Sequence, residues 1–407
     1  MAIEISMVRH GQTKANVAGI WQGTTNSDLT HTGQRQVECL GKRYATSSPG
    51  LVLTSNLGRA RDTAAVFGPA EIDERWRELH LGEWEGLTQA EIDERYPGEF
   101  AAASASGDVS FGGGETTSEM KERLVEAFFD LAGRLRDGER ATVVTHGGAI
   151  LTLLGAILGI NMFGKVSRLA NTAICNVLIG LDDVPRLVVF NDSTHLPKVL
   201  MDVELEGTHV VLVRHGETFA NLEGRWQGQS PGELTPRGRS QALSLIEHFP
   251  PVDVFFTSPL TRAKETALLI AGGSRLIPEE VHAFSELGFG RWEMLTVDEI
   301  RDLDPLGLKE IEAGHDIRRG RIGETFGEVR DRFRDTLEEL VEQHCGSTIG
   351  VVSHGAAIRA FATDLLGLSH PDRRRIGLLR NTAMARVVYG SEGPALAAWN
   401  IAPHLES

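Results

Sequence analysis

Two tandem three-layer α/β/α domains, each built on a mostly parallel central sheet, are what this 407-residue sequence predicts, and three observations carry that prediction. Met7 to Asn16, MVRHGQTKAN, returns as Leu212 to Asn221, LVRHGETFAN, identical at seven of ten positions. His10 and His215 lie 205 positions apart and His146 and His354 lie 208 apart, so the chain reads as two units, residues 1–200 and 208–407. Each is long enough to bury its own core. Short β-branched runs alternate with helical patterns inside each unit, which is the signature of strands in a parallel sheet covered by helices on both faces.

The elements follow in order. In the first copy IEISMV forms a strand before His10, and Thr30 caps a helix ahead of Gly33. LVLTS is a strand before Asn56, and Leu57 to Phe67 has the spacing of a helix. Thr116 with Glu119 is a capping box opening a helix over Met120 to Leu135, with Leu124, Phe128, Leu131 and Leu135 on its buried face. ATVVT is a strand before His146, AICNVLI another around Val177, and LVVFNDSTHL closes the copy at Leu196. In the second copy Thr235 caps a helix with Pro236 at its first position, Thr325 with Glu328 repeats the capping box, and LAAWNIAPHL ends at Leu405. Glu115 and Glu324, in Gly-Glu-Thr of each copy, belong either to these caps or to the border of a pocket. The linker Pro197 to Gly207 has no Gly/Ser tract, so domains in contact are expected.

Composition narrows the classes of function. With 41 Lys and Arg against 56 Asp and Glu, the net charge of −15 disfavours nucleic acid and anionic membranes as partners. It leaves a small anionic substrate open, because local arginines govern a pocket. No basic leader and no run of 18 apolar residues occurs, so a cytoplasmic protein without membrane spans is expected. Cys39, Cys175 and Cys345 have no metal or redox spacing and read as small fillers of a reduced protein. Nothing in the sequence sets the oligomeric state.

His10 and His146 each end an apolar run, and in an open α/β sheet such strand ends face the ligand crevice. Gly11 and Gly147 after them let a ligand approach the backbone. Arg9 and Arg59 supply planar cations with donors matched to phosphate oxygens. Together these make an oxyanion pocket containing a nitrogen nucleophile. A metal site is the competitor, but arginine and glycine, not carboxylates, neighbour the histidines, and no metal or other cofactor is expected. His31, His80, His282 and His315 read as hydrogen-bonded core residues.

The strings RHGQTKAN, SNLGRARDTA, ELHLGEWEG and VTHGG, with RHGETFAN, SPLTRAKETA, ELGFGRWEM and VSHGA in the second copy, resemble the histidine phosphatase superfamily, the phosphoglycerate mutase-like clan, in its compact branch. The resemblance spans nearly all of each half. It implies that His10 and His215 are nucleophiles forming phosphohistidine, and that Arg9, Arg59 and His146, with Arg214, Arg262 and His354, hold the phosphoryl group. It implies Glu78 and Glu286 as proton donors. Asn16, Gln22, Gly23 and Gly147, with Asn221, Gln227, Gly228 and Gly355, would line the substrate side. A backbone carbonyl is expected to hold the nucleophile's tautomer. Glu85 is expected to orient the acid loop, and Glu83 is set aside because Arg291 replaces it in the second copy.

A metal-independent phosphomonoesterase acting on small phosphorylated metabolites is the function this resemblance implies. The alternatives are phosphoglycerate mutase-type transfer, or one catalytic copy beside a structural or ligand-binding one. Candidate substrates include phosphoglycerate, sugar phosphates, glucosyl phosphoglycerate-type esters, nucleotide-pathway monophosphates and ribazole phosphate. Met294 replaces Gly86, where a side chain would narrow or reshape the second pocket, and the pairs Lys14/Phe219 and Gly86/Met294 suggest different substrates for the two sites.

Overall fold

The computed structural model describes residues 2–45, 48–99, 108, 110–201, 205–272 and 276–405. It divides into two compact units, Met1–Phe163 with Arg168–Glu204, and Gly164–Ser167 with Leu205–Ser407. Four residues of the first repeat therefore group with the second unit, where Val166 bridges Leu396. Within the linker, Lys198–Leu200 form a short 3-10 turn, and residues 202–204 lie outside the described residues.

The first unit has strands β1 (Ile3–Arg9), β2 (Leu51–Thr54), β3 (Glu71–Ile72), β4 (Arg140–Thr145), β5 (Ile174–Ile179) and β6 (Pro185–Asp192), in the spatial order β6-β5-β1-β4-β2-β3. The pairs β1–β4, β4–β2 and β2–β3 are parallel, whereas β5 runs antiparallel to both β1 and β6. Val8, Val143 and Val144 are fully buried, as β-branched residues are in a strand covered on both faces. The run AICNVLI forms its strand as expected, but its direction depends on chain topology rather than residue pattern.

The second unit repeats this arrangement with β7 (Thr208–Arg214), β9 (Val254–Thr257), β10 (Glu279–Glu280), β12 (Thr348–Ser353), β13 (Met384–Gly390) and β14 (Gly393–Ile401), ordered β10-β9-β12-β7-β13-β14. A small ribbon pairs β8 (Arg225–Trp226) with β11 (Leu295–Thr296).

Helices start where their caps require. Thr30 accepts the Gly33 N–H ahead of His31–Tyr44, and Thr235 accepts that of Gly238 ahead of Pro236–Leu245. Thr116/Glu119 and Thr325/Glu328 both close complete capping boxes at the helices Thr117–Arg134 and Phe326–Gln343. Leu124, Phe128 and Leu131 lie buried along the first of these.

The strand register is what builds the site. Arg9 stands opposite Thr145 and Arg214 opposite Ser353, so the next residues, His10 beside His146 and His215 beside His354, emerge together at the carboxyl end of each sheet. The four histidines assigned to the core, His31, His80, His282 and His315, are instead exposed; lone histidines carry too little apolar periodicity to place them. Likewise Cys175 is buried as a filler, but Cys345 is exposed.

Candidate active site

Each nucleophile candidate is buried and oriented by its own backbone. His10 Nδ1 lies 2.8 Å from the Gly11 carbonyl and His215 Nδ1 2.7 Å from that of Gly216. A carbonyl only accepts, so Nδ1 carries the proton and Nε2 presents its lone pair. In the second unit Arg262 Nε donates to that very atom, His215 Nε2, over 3.2 Å. Burial, with Arg59 and Arg9 beside it, holds His10 well below the ordinary histidine range. Burial, Arg262 and Arg214 do the same to His215. Both rings are thus neutral, as a nitrogen nucleophile must be.

The second histidine sits beside the first, with ring centroids 5.2 Å apart for His10 and His146 and 5.1 Å for His215 and His354. His146 Nε2 pairs with Ser55 Oγ at 2.8 Å and His354 Nε2 with Ser258 Oγ at 2.7 Å. Their Nδ1 atoms are buried without a hydrogen-bond partner.

Arg59 is clamped by the carbonyls of Gly23 (2.7 Å) and Thr25 (2.6 Å), and Arg262 by those of Gly228 (2.6 Å) and Ser230 (3.2 Å). Burial lowers each of the two guanidiniums to about 10, still fully cationic at neutral pH. Arg9 and Arg214 bond the carbonyls of Leu169 and Leu379. Gly11 N–H donates to Thr63 Oγ1 and Gly216 N–H to Thr266 Oγ1, both at 3.0 Å, which ties each Arg-His-Gly turn to the helix bearing the second arginine.

The acids Glu78 and Glu286 lie at the amino end of the helix that follows the second histidine. Glu78 accepts the N–H groups of Leu79 and Gly148, each at 2.9 Å. Glu286 accepts those of Leu287 (2.9 Å), Ala357 (2.9 Å) and Ala356 (3.2 Å). Helix amino ends favour negative charge, so the same dipole holds the acid and would attract a phosphoryl dianion.

In the first unit Arg9, His10, Arg59 and Glu78 open onto a cavity of about 1100 Å³, and Asn16, Gln22, Gly23 and Gly147 all line it. Asn16 also has a structural duty, its carboxamide oxygen accepting the Thr13 N–H within a capping box. Gly23 is required twice over: its φ is +51°, and a Cβ there would lie 2.3 Å from Glu85 Oε1. Gly228 meets Glu293 in the same way at 2.5 Å. The second unit keeps the partners of the first, since Asn221 Oδ1 accepts the Thr218 N–H and Gln227 Oε1 the Thr218 hydroxyl. Gly355 lies against Arg214. Among the described residues, no group of three or more His, Cys, Asp or Glu is arranged to hold a metal ion.

Glu85 orients the loop as expected, its Oε1 accepting the Thr24 N–H (2.7 Å), the Thr24 hydroxyl (2.8 Å) and the Leu81 N–H (3.2 Å). Glu83 is exposed and, among the described residues, takes only the Tyr96 hydroxyl. At Met294 the backbone position is open, since a Cβ at the matching Gly86 meets nothing within 4 Å, and Met294 is 38% exposed. Lys14 pairs with Asp28 at the surface, away from the cavity wall, and Phe219 is exposed.

Two groups escaped the sequence reading. Glu115 is not among the residues lining the first cavity, and Glu115 and Glu324 hold Arg123 and Arg332, whose remaining N–H groups grip the acid loop from behind. Arg123 bonds the carbonyls of Arg75 (2.7 Å), Arg77 (2.9 Å) and Glu78 (3.2 Å), and Arg332 that of Glu286 (3.0 Å). The signal was an arginine eight residues after each Gly-Glu-Thr glutamate. The other group is Asn171-Thr172-Ala173, repeated as Asn381-Thr382-Ala383. Asn171 Nδ2 donates to the His10 carbonyl at 2.7 Å and Asn381 Nδ2 to that of His215 at 3.0 Å. Thr172 and Thr382 both sit at φ +61°, each bonded to the histidine near its copy's end, His195 or His404.

A glucosyl-3-phosphoglycerate phosphatase of Mycolicibacterium vanbaalenii is 34% identical over 165 residues, 38% of this chain and 73% of the relative. A metal-independent phosphoserine phosphatase of Arabidopsis thaliana is 34% identical over 212 residues, covering 50% and 86%. A protein named "Probable phosphoglycerate mutase GpmB" from Serratia proteamaculans is 32% identical over 186 residues, covering 43% and 84%. The model of the histidine phosphatase superfamily, branch 1, matches twice, over residues 5–193 and 210–402. The chain therefore belongs to the histidine phosphatase superfamily through both of its halves, and it is a phosphoric monoester hydrolase.

Proposed function

We propose that both domains hydrolyse small phosphorylated metabolites without a metal, through phosphohistidine on His10 and on His215. The observation that carries this reading is the Nδ1–carbonyl bond of each histidine, which leaves Nε2 neutral, with Arg262 aimed at it in the second unit and the second histidine alongside in both. Nε2 attacks phosphorus and the ester oxygen leaves, while the arginines and second histidine bear the charge on the equatorial oxygens. Glu78 or Glu286 gives the leaving oxygen its proton and afterwards takes one from the water that cleaves the N–P bond.

Rapid quenching with labelled substrate tests it. Acid-labile, base-stable phosphate is expected on His10→Ala and on His215→Ala protein, and none on the double variant. Label surviving in the double variant would refute the assignment, and its loss from His10→Ala alone would make the second copy non-catalytic. Glucosyl-3-phosphoglycerate and phosphoserine, named on the relatives, are the first esters to assay. The mutase-named relative favours one second reading, transfer to a substrate oxygen. Isomer exchange on 3-phosphoglycerate without phosphate release would establish it.

A further inference from the structure

The two sites differ on the side where the leaving portion of the ester must lie. In the first domain Leu151 and Phe111 form apolar wall of the cavity near Glu78. Leu151 is the fifth residue of its helix, Gly147–Leu158, and Arg359 the fifth of the matching helix, Gly355–Leu366. Phe111 precedes Gly112 (φ +56°), and Arg319 precedes Gly320 (φ +51°); these glycines abut the carbonyls of Leu81 and Phe289, which occupy the same place in the two acid loops. Two apolar wall residues in the first domain thus correspond in backbone position to two arginines in the second. Lys121 and Arg168 also line the first cavity, but both are exposed.

Arg359 lies among further cations. Burial and the nearby Arg373 lower it to about 10, with Arg374 and Arg319 acting the same way and Glu286 opposing them. The neighbours are fixed by bonds of their own: Arg319 to Asp316 at 3.4 Å, Arg373 to the His370 carbonyl at 2.6 Å, and Arg374 to the Ile311 carbonyl at 3.1 Å. Arg359 is not. Its Nε is buried with no hydrogen-bond partner, and among the described residues no carboxylate comes within ion-pair distance of it. The side chain is only partly buried, and the planar fork of a guanidinium without a fixed partner suits a carboxylate or phosphate.

We propose that the second domain carries an anion subsite centred on Arg359, so that it takes phosphomonoesters bearing a second anionic group, whereas the first domain takes esters whose remaining portion is neutral or apolar. The phosphoryl end of this assignment rests on the phosphatase reading of the His215 site.

Full-length His10→Ala protein reports the second domain, assayed on 3-phosphoglycerate, which has a carboxylate, and on phenyl phosphate, which has no second anion. Arg359→Leu, the first domain's residue, is expected to lower the ratio of the two kcat/KM values at least tenfold, mainly through KM. Arg359→Gln should act in the same direction and serves if the leucine variant misfolds. A ratio within twofold of the parent overturns the subsite, as does an equal loss on both esters. Calorimetric titration of 3-phosphoglycerate into His10→Ala/His215→Ala protein, with and without Arg359→Leu, needs no turnover, and the first domain contributes equally to both titrations. Tenfold weaker binding supports the subsite even if no ester is hydrolysed, an outcome that would sink the phosphatase reading alone. Unchanged binding overturns the subsite whatever the activity.

Discussion

Replacing Glu85 by alanine should disable the first domain although Glu85 touches no reacting atom. One carboxylate oxygen accepts two backbone N–H groups and a hydroxyl, joining the Gly23–Thr24 loop to Leu81 of the acid loop. Gly23 in turn holds Arg59 through its carbonyl at 2.7 Å. Alanine strands two N–H donors; at roughly 1–3 kcal/mol each, with water reaching part of this half-buried site, the expected loss is about 3 kcal/mol. For a domain of this size that lowers Tm by roughly 6–12 °C. Arg59 and Glu78 lose a common anchor, and misplacement on the scale of an ångström costs on the order of 100-fold in kcat. Scanning calorimetry of the whole chain should show one transition moved and the other unmoved, and kcat read in His215→Ala protein should fall accordingly. Glu85→Gln keeps the accepting oxygen and should recover most of both. If Glu85→Ala leaves both transitions in place and kcat within threefold, the loop anchor is not what positions Arg59 and Glu78.

Acid should weaken the fold while sparing the nucleophile. His10 and His146 are held well below the ordinary range, chiefly by burial, so the native state resists protonation while the unfolded chain takes protons below about pH 6.5. Their stabilising contribution is present above that pH and is lost as pH falls, by as much as about 3 kcal/mol for the pair between pH 6.5 and 5. Urea unfolding at pH 7 and pH 5 should show the drop in the first domain's transition, and His146→Gln should roughly halve it there; an undiminished drop would exclude these histidines as its source. Over the same interval kcat/KM should show no loss traceable to protonation of His10, which a pH profile checks. Asn171→Ala removes the donor to the His10 carbonyl and should cost about 1–2 kcal/mol in the first domain along with kcat. Wild-type turnover in that variant, measured with the second site disabled, would confine Asn171 to a structural role. Arg123→Met frees the carbonyls of Arg75, Arg77 and Glu78, so kcat should fall more than KM rises, the reverse of a substrate-binding defect.

What could be read in the sequence was set by local physics. Thr30, Thr116, Thr235 and Thr325 were legible as caps because a cap needs only a hydroxyl and an N–H three residues away. The strands before His10 and His146 were legible because buried parallel strands are nearly continuous apolar runs. Arg123 and Asn171 were not legible in this way. The carbonyls they bond lie 45 or more and 161 positions away, and such contacts leave no local periodicity. Repetition was the one available clue to them, and it marks a residue as retained without saying what it holds. Glu115 shows the difference, a repeated acid that looked like a pocket border and proves to be the counter-ion of Arg123.

The positions that differ between the copies separate on the same principle. Gly23, Glu85, Asn171 and Thr172 each bond or abut a second element, so a change there is transmitted to the nucleophile or to an arginine that faces it, and the second copy keeps Gly228, Glu293, Asn381 and Thr382. Gly86 faces open space, so Met294 meets no steric bar; its left-handed backbone at φ +62° costs about 1–2 kcal/mol and is held by the Met294 N–H to the Trp226 carbonyl (2.7 Å) and by Arg225 to the Met294 carbonyl (2.8 Å). Leu151 and Arg359 satisfy neither description. Neither makes a bond that holds the machinery in place, so under the proposed subsite exchange of one for the other alters what the site receives. Divergence in a duplicated enzyme accumulates at such positions first, because a change there breaks no bond that holds the nucleophile, the arginines or the acid.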